Sequence, residues 1–207
     1  MFSESTQKKL KKELCEILLR INALNFGLFT LPSGKLSPYY INLRVVTSFP
    51  DVFSKIANLY LALAKTELNL QAVKRIAGIP TAGIPFASSL ALSLKKPFLY
   101  ARKEETHGRE RRVEGILNPG DVILIVDDLV TTGKTLLLAA DAIRSEGGIV
   151  ADALVLIDRQ EGGRQALEVE GVKLHHLLLM SEVAKILYES GAIDEKQLTD
   201  ISKQIIT

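Results

Sequence analysis

The chain has 207 residues, of which 47% are hydrophobic and 24% are charged, and its formal net charge is +2. A chain of this length and hydrophobic content can bury one substantial core, so we expect a single domain over residues 1–207. The small net charge provides no basic stripe, which argues against a nucleic-acid partner. No apolar run reaches the roughly 18 residues that a membrane span requires, so we expect no membrane partner either.

The chain contains one cysteine, Cys15. An intramolecular disulfide is therefore impossible, and a reducing, cytoplasmic location is expected. Cys15 stands next to Leu14 in an apolar pattern of helical spacing, which indicates a buried structural residue. The N-terminal segment 1–21 mixes lysines into this pattern, so it predicts an amphipathic helix that packs on the core rather than a signal peptide.

Beyond this helix, alternating apolar residues with prolines and glycines predict two short strands within 26–44, and a helix follows at 50–68. Further strands are predicted at 75–79, 97–102, 122–128, 149–158 and 172–180, and further helices at 82–94, 133–147, 182–190 and 195–205. Continuous apolar runs that alternate with helices are typical of a parallel sheet covered on both faces. We therefore predict an α/β fold whose ligands bind at the carboxyl ends of the strands.

The segment 122–135, VILIVDDLVTTGKT, ends like a nucleotide-binding P-loop but lacks the first glycine of that motif. The glycine belongs five positions before Gly133, where Asp128 stands, and a carboxylate there would oppose a polyphosphate. What remains is a buried strand, the pair Asp127 and Asp128, and a helix N-terminus. Backbone N–H groups at a helix start bind one phosphate group, and carboxylates accept hydrogen bonds from sugar hydroxyls. The segment therefore predicts a ribose 5-phosphate site, although two aspartates that merely cap a helix are the alternative.

This segment resembles the phosphoribosyl-pyrophosphate (PRPP) motif of type I phosphoribosyltransferases. Three further blocks are similar, in the same order, to the orotate phosphoribosyltransferases: FGLFTLPSGKLSPYYINLR at 26–44, YARKEETHG at 100–108 and ALVLIDRQEGG at 153–163. The resemblance extends over nearly all of the chain. It implies a type I phosphoribosyltransferase-like fold with a small N-terminal hood within about 1–45 and a mobile loop at about 103–115.

The resemblance also implies roles for the matching residues. PRPP would be bound by Thr81, Ala82, Arg102, Lys103, His107, Asp127, Asp128, Leu129, Val130, Thr131, Thr132, Gly133, Lys134 and Thr135. Orotate would be bound by Thr131, Arg159, Tyr40 and Ile41. Catalysis would fall to Lys103, His107, Asp127 and Asp128, with His107 as a proton donor. No protein residue would hold the metal directly, because Mg²⁺ would be bound through PRPP and water near the two aspartates.

Taken without the resemblance, some of these residues have simpler interpretations. Arg159 is compatible with a solvated loop arginine, and Tyr39 and Tyr40 are compatible with core packing. The charged run 102–114 is compatible with an ordinary solvated loop, although long loops in compact domains are often lids.

The implied reaction is the Mg²⁺-dependent transfer of ribose 5-phosphate from PRPP to orotate in pyrimidine biosynthesis, giving orotidine 5′-monophosphate and pyrophosphate. The family resemblance further implies a homodimer in which the loop 103–115 completes the neighbouring active site. Some family members are fused to a decarboxylase. The chain after Arg159 is too short for such a barrel, so we expect decarboxylation to belong to another protein.

Three positions depart from the family pattern. Pro32 and Ala82 stand where other members carry lysines, and Glu105 with Thr106 stands where the second loop lysine belongs. Three loop arginines, at 109, 111 and 112, can compensate for the missing cations. Two alternatives therefore stay open: a phosphoribosyltransferase for another purine or pyrimidine base, and a non-catalytic PRPP- or nucleotide-sensing regulator.

Overall fold

A computed structural model of the chain describes residues 4–30, 34, 36–102 and 112–205. The helices are α1 (Glu4–Arg20), α2 (Pro50–Glu67), α3 (Gly83–Leu94), α4 (Lys134–Ser145), α5 (Gly163–Val169), α6 (Met180–Glu189) and α7 (Glu195–Ser202), with a 3-10 helix at Leu43–Ser48. The strands are β1 (Leu24–Thr30), β2 (Leu36–Ile41), β3 (Arg75–Gly78), β4 (Phe98–Ala101), β5 (Val113–Glu114), β6 (Val122–Val126), β7 (Leu129–Val130), β8 (Ile149–Asp158) and β9 (Lys173–Leu179).

Seven strands form the central sheet. Its order is β5-β4-β3-β6-β8, and β8 is followed on its other side by β9. The short strand β7 pairs with the far end of β8, on the same side as β6. All of these pairings are parallel except β4 with β5. The predicted α/β fold with a mainly parallel sheet is thus confirmed.

Both faces of this sheet are covered, which explains the unbroken apolar run of its central strand β6. In β6, Leu124 and Val126 join the core on one face, whereas Ile123 and Ile125 join the core on the other. The first core includes apolar residues of α1, α2, α3 and α6, and the second is closed by α4 and α5. A strand covered on both faces needs an apolar residue at every position.

The strands β1 and β2 form a separate two-stranded antiparallel sheet, at the place where the hood was predicted. The segment after α7 holds this hairpin, because the Gln204 side-chain amide donates to the Leu36 carbonyl at 2.7 Å and accepts from the Ser37 hydroxyl at 3.1 Å. Cys15 lies fully buried on α1, as predicted. Burial raises the pKa of its thiol to about 12, so this thiol is protonated at neutral pH.

Four elements were not predicted from sequence: the 3-10 helix, β5, β7 and α5. Within the predicted mobile loop at about 103–115, the strand β5 (Val113–Glu114) pairs with β4. The rest of that loop, 103–111, lies outside the described residues. Within the described part of the chain, no helix combines the length and the apolar character needed to cross a membrane.

Candidate active site

A cavity of about 960 Å³ opens beyond the carboxyl ends of β3, β6 and β8, with the end of β2 on its opposite side. It is lined by residues 40–44, 79–82, 127–136, 159 and 161. Ligand sites in parallel α/β sheets lie at this edge, because the loops that leave the strands converge there.

Most of the residues predicted to bind PRPP or orotate line this one cavity. They are Tyr40, Ile41, Thr81, Ala82, Asp127, Asp128, Leu129, Val130, Thr131, Thr132, Gly133, Lys134, Thr135 and Arg159. Arg102 is not among the lining residues, and its guanidinium lies 2.9 Å from the Glu114 carboxylate in the β4–β5 pair. Lys103 and His107 lie outside the described residues, as do the loop arginines at 109 and 111. Their predicted roles stay predictions.

The acidic pair follows β6 and is fixed by its backbone. The Asp128 N–H donates to the Asp127 carboxylate at 2.9 Å, and the Leu129 N–H donates to the Asp128 carboxylate at 2.8 Å. From α2, the buried Tyr60 hydroxyl donates to the Asp127 main-chain carbonyl at 2.8 Å. These bonds define the direction in which both carboxylates leave the strand.

Burial raises the pKa of Asp128 above its ordinary value. The Leu129 N–H and the positive charge of Arg44 act in the opposite direction. The ionised carboxylate is therefore costly at this position unless donors surround it. A ligand that brings hydroxyl groups would supply such donors.

Gly83, the first residue of α3, lies directly against this acidic pair. A Cβ at this position would come within 2.7 Å of the Asp127 carboxylate and 2.8 Å of the Val126 carbonyl. Any larger residue would displace the aspartate or the helix. In the turn that leads to Gly83, the peptide bond between Pro80 and Thr81 is cis.

The phosphate-loop segment 131–135 leads into α4. Gly133 precedes the helix with φ +79 and brings no side chain to cap it. The first-turn N–H groups of α4 therefore lack a side-chain partner from this position, as is usual at helix starts that bind phosphate. The loop also touches α5, since a Cβ on Gly133 would lie 3.0 Å from the Gly163 carbonyl and a Cβ on Gly163 only 2.6 Å from the Thr131 carbonyl.

Arg159, just after β8, is 6% exposed, which rules out the solvated-loop interpretation. Its Nε donates to the Tyr39 hydroxyl at 3.2 Å, and its guanidinium carbon lies 4.7 Å from the centroid of the Tyr39 ring. Its Nη2 lies 2.8 Å from the Glu161 carboxylate, close enough for an ion pair although the contact is not aligned as a hydrogen bond. Tyr39 is itself fully buried, and burial raises its pKa to about 12.

Sequence reasoning did not single out two charged residues that line the cavity. Arg44 hydrogen-bonds the side chains of Asn42 at 3.0 Å and Tyr40 at 3.2 Å, and Glu161 pairs with Arg159. Both lie inside the sequence blocks that carried the family resemblance. Nothing local in those blocks indicates that their side chains face a cavity.

Mg²⁺ prefers oxygen ligands and keeps several of its waters in most protein sites. Among the residues that the structure describes, no three acidic, histidine or cysteine side chains converge into a metal-binding group. Asp127 and Asp128 nevertheless place two carboxylates side by side in the cavity lining. This donor set fits a hydrated cation that is held mainly by substrate oxygens.

Comparison with known proteins finds relatives that match most of this chain. A family model described as a phosphoribosyl transferase domain matches residues 52–173. An orotate phosphoribosyltransferase of Cenarchaeum symbiosum is 44% identical over 83% of this chain and 86% of its own length. A second, from Staphylothermus marinus, is 42% identical over 95% of this chain and 93% of its own length.

Solved structures show the same likeness. The orotate phosphoribosyltransferase of Aeropyrum pernix has a TM-score of 0.77 at 34% identity, covering 87% of this chain and 99% of that one. The Leishmania donovani UMP synthase has a TM-score of 0.82 at 32% identity, covering 93% of this chain but only 41% of that one.

The sheet, the cavity at its carboxyl edge and the matched domain define a type I phosphoribosyltransferase. Within this class, the chain belongs to the orotate phosphoribosyltransferase family. The family resemblance drawn from the sequence and the predicted fold are both confirmed.

Proposed function

We propose that the chain transfers ribose 5-phosphate from PRPP to orotate, releasing pyrophosphate and forming orotidine 5′-monophosphate for pyrimidine biosynthesis. The observation that carries this proposal is the lining of one cavity. The acidic pair, the start of α4 and the buried Arg159 all contribute to it. These groups suit, respectively, a ribose, a phosphate and a planar base edge.

In the proposed mechanism, the N–H groups and hydroxyls of residues 131–135 bind the 5-phosphate. Asp127 and Asp128 accept hydrogen bonds from the ribose hydroxyls and so orient the ring. The anomeric carbon becomes positively charged as pyrophosphate leaves, and the orotate ring nitrogen attacks it from the opposite side. Holding both reactants in line converts an encounter in solution into a reaction within one complex.

We propose that Mg²⁺ takes part, bound by PRPP and water beside Asp127 and Asp128. When bound, the cation neutralises charge that develops on the departing pyrophosphate. The turn at Thr81 and Ala82 lies on the same cavity, which supports our assignment of pyrophosphate to its backbone.

Only three cationic side chains line the cavity within the described residues: Arg44, Lys134 and Arg159. This small number supports the proposal that the loop at 103–115 contributes further cations, in particular Lys103, and that His107 donates a proton to the leaving group. We propose that this loop closes over the neighbouring subunit of a homodimer. A reducing cytoplasm is the proposed location, consistent with one buried cysteine.

The reaction is tested by following the loss of orotate absorbance with purified protein, PRPP and Mg²⁺. Parallel assays contain uracil, adenine or hypoxanthine in place of orotate. We expect Mg²⁺-dependent consumption of orotate alone. Turnover of another base would identify a different phosphoribosyltransferase, and PRPP binding without turnover of any base would indicate a regulator.

The shared active site is tested by mixing two inactive variants, Lys103→Ala and Asp128→Asn. In a mixed dimer, one site combines an intact acidic pair with an intact loop from the other subunit. Random reassortment should therefore restore about a quarter of the wild-type activity. If the mixture stays inactive while subunits demonstrably exchange, each loop serves its own subunit and the shared-site proposal fails.

A further inference from the structure

Arg159 is surrounded by groups that restrict its orientation. The hydroxyl of Tyr39 accepts from its Nε at 3.2 Å, and the ring of the same tyrosine lies against the guanidinium at 4.7 Å. The Tyr39 hydroxyl also lies 3.4 Å from the Glu161 carboxylate, which pairs with Arg159 Nη2 at 2.8 Å. The three side chains thus contact one another pairwise.

The backbone explains why residues 159 and 161 meet. Gln160 between them adopts the left-handed conformation, with φ +58. Its N–H donates to the Asp158 carboxylate at 2.8 Å, and its side-chain oxygen accepts from the Ser181 N–H at 2.9 Å. This anchored turn brings Glu161 back towards Arg159 instead of letting it continue away from the sheet.

The ion pair is almost completely shielded from solvent. The side chains of Arg159 and Glu161 are 7% and 4% exposed, and a buried charge without its partner is strongly unfavourable. Glu161 also neutralises Arg159. The guanidinium therefore contributes directed hydrogen-bond donors to the cavity rather than a free positive charge.

We infer that Glu161 and Tyr39 are positioning residues for the base: they fix the guanidinium of Arg159 in the orientation that binds orotate. The inference rests on the proposed function, because it assigns the recognition of orotate to Arg159. Neither residue needs to touch PRPP, since both act through the arginine. Their removal should affect the base and leave the phosphate end of the cavity unchanged.

The first test compares Glu161→Gln and Tyr39→Phe with wild type. Gln keeps the shape of the side chain without its charge, and Phe keeps the ring without the hydroxyl. Each should raise KM for orotate about tenfold, because Glu161→Gln removes the ion pair and Tyr39→Phe removes the hydrogen bond that hold the charged guanidinium. The dissociation constant of PRPP should stay within about twofold. Glu182→Gln is the matched control, because it breaks the Lys11–Glu182 ion pair outside the cavity lining and should leave KM for orotate unchanged.

The second test separates positioning from a general loss of structure. Arg159→Ala should lose most of its orotate turnover through a raised KM and regain part of it when millimolar guanidinium chloride is added, because Glu161 and Tyr39 still form a binding place for the ion. In the double variant Arg159→Ala/Glu161→Gln, this rescue should disappear. Glu161→Gln should then add little to the KM effect of Arg159→Ala alone.

Equal rescue of the single and double variants, or fully additive effects on KM, would overturn the inference. A PRPP dissociation constant that rises in parallel with KM for orotate would do the same, because it would indicate a structural role. Wild-type turnover of orotate in the same assay distinguishes this failure from failure of the proposed function. Without that turnover, the proposed function fails and the inference fails with it.

Discussion

At the scale of single residues, the ionised carboxylate of Asp128 lowers the free energy of unfolding. Burial raises the pKa of its carboxyl, so folding favours the protonated form over the ionised form. Below about pH 3.9, the ordinary value for an aspartate in an unfolded chain, this effect is absent. As the pH rises from there through the raised pKa, the folded protein loses stability relative to a chain without this group.

We therefore expect Asp128→Asn to stabilise the unliganded protein at pH 7, measured by thermal unfolding, and to lose activity. A ribose that depends on the carboxylate for orientation would be misplaced, and kcat/KM should fall on the order of a hundredfold. In the wild type, PRPP binding should weaken as the pH falls towards the raised pKa. Asp141→Asn, at an exposed position of α4, is the control and should change neither property. Lower stability of the Asp128 variant would contradict this account.

Gly83 is the second position where one residue controls the site. Gly83→Ala would place a methyl group 2.7 Å from the Asp127 carboxylate, and such overpacking costs about 1–3 kcal/mol. We expect lower stability together with much weaker PRPP binding, measured by calorimetry. Gly191→Ala provides the comparison, because its φ of +73 makes the substitution unfavourable while nothing lies within 4 Å of the new methyl group. That variant should lose stability and keep its PRPP affinity.

These residues illustrate what the sequence could and could not predict. The turn before Gly83, at Thr81 and Ala82, was assigned to PRPP through the family resemblance. The contact of Gly83 with Asp127 joins positions far apart in the chain, and no local pattern contains that information. The same holds for Glu161, whose side chain reaches the cavity only because Gln160 adopts a left-handed conformation.

At the level of helices and strands, prediction succeeded where burial is uniform. The strands β3, β4, β6, β8 and β9 were all predicted, because both faces of the sheet are covered and each strand contains a largely apolar run. The helix α5 was missed because its seven residues begin at the second glycine of the pair 162–163, which is typical of a turn. The strand β7 has two residues and exists through its pairing with β8, a contact that local sequence does not encode.

The hairpin β1–β2 provides a prediction at the same scale. It carries Tyr39, Tyr40 and Ile41, and the Gln204 side chain after α7 bonds to both Leu36 and Ser37. We expect Gln204→Ala to lower stability by about 1 kcal/mol and to raise KM for orotate a few-fold, because the wall of the cavity loosens.

The measurement for Gln204→Ala is steady-state kinetics together with thermal unfolding. Lys203→Ala, which removes only an exposed ion pair with Asp200, serves as its control and should be close to wild type. An unchanged KM for orotate in the Gln204 variant, despite lower stability, would mean that the hairpin does not depend on this anchor for its position.

At the scale of the whole molecule, the cavity is lined by residues of the hairpin β1–β2 and by residues that follow three strands of the sheet. Tyr40, Thr81, Asp127 and Arg159 follow one another at intervals of 41, 46 and 32 residues along the chain, yet they line one cavity. The family resemblance assigned these four residues to one site. The parallel arrangement of β3, β6 and β8 brings Thr81, Asp127 and Arg159 to one edge of the sheet, and the hairpin β1–β2 adds Tyr40.

The contact between Gly133 and Gly163 limits which parts of the candidate site can change during evolution. Backbone meets backbone there, so a side chain at either glycine would force apart the phosphate loop and the loop that carries Arg159. The spacing between sugar and base is thus a fixed frame. An evolved enzyme that accepts a new base would have to change side chains that line the cavity, such as Tyr40 and Arg44. The backbone contact between Gly133 and Gly163 would stay the same.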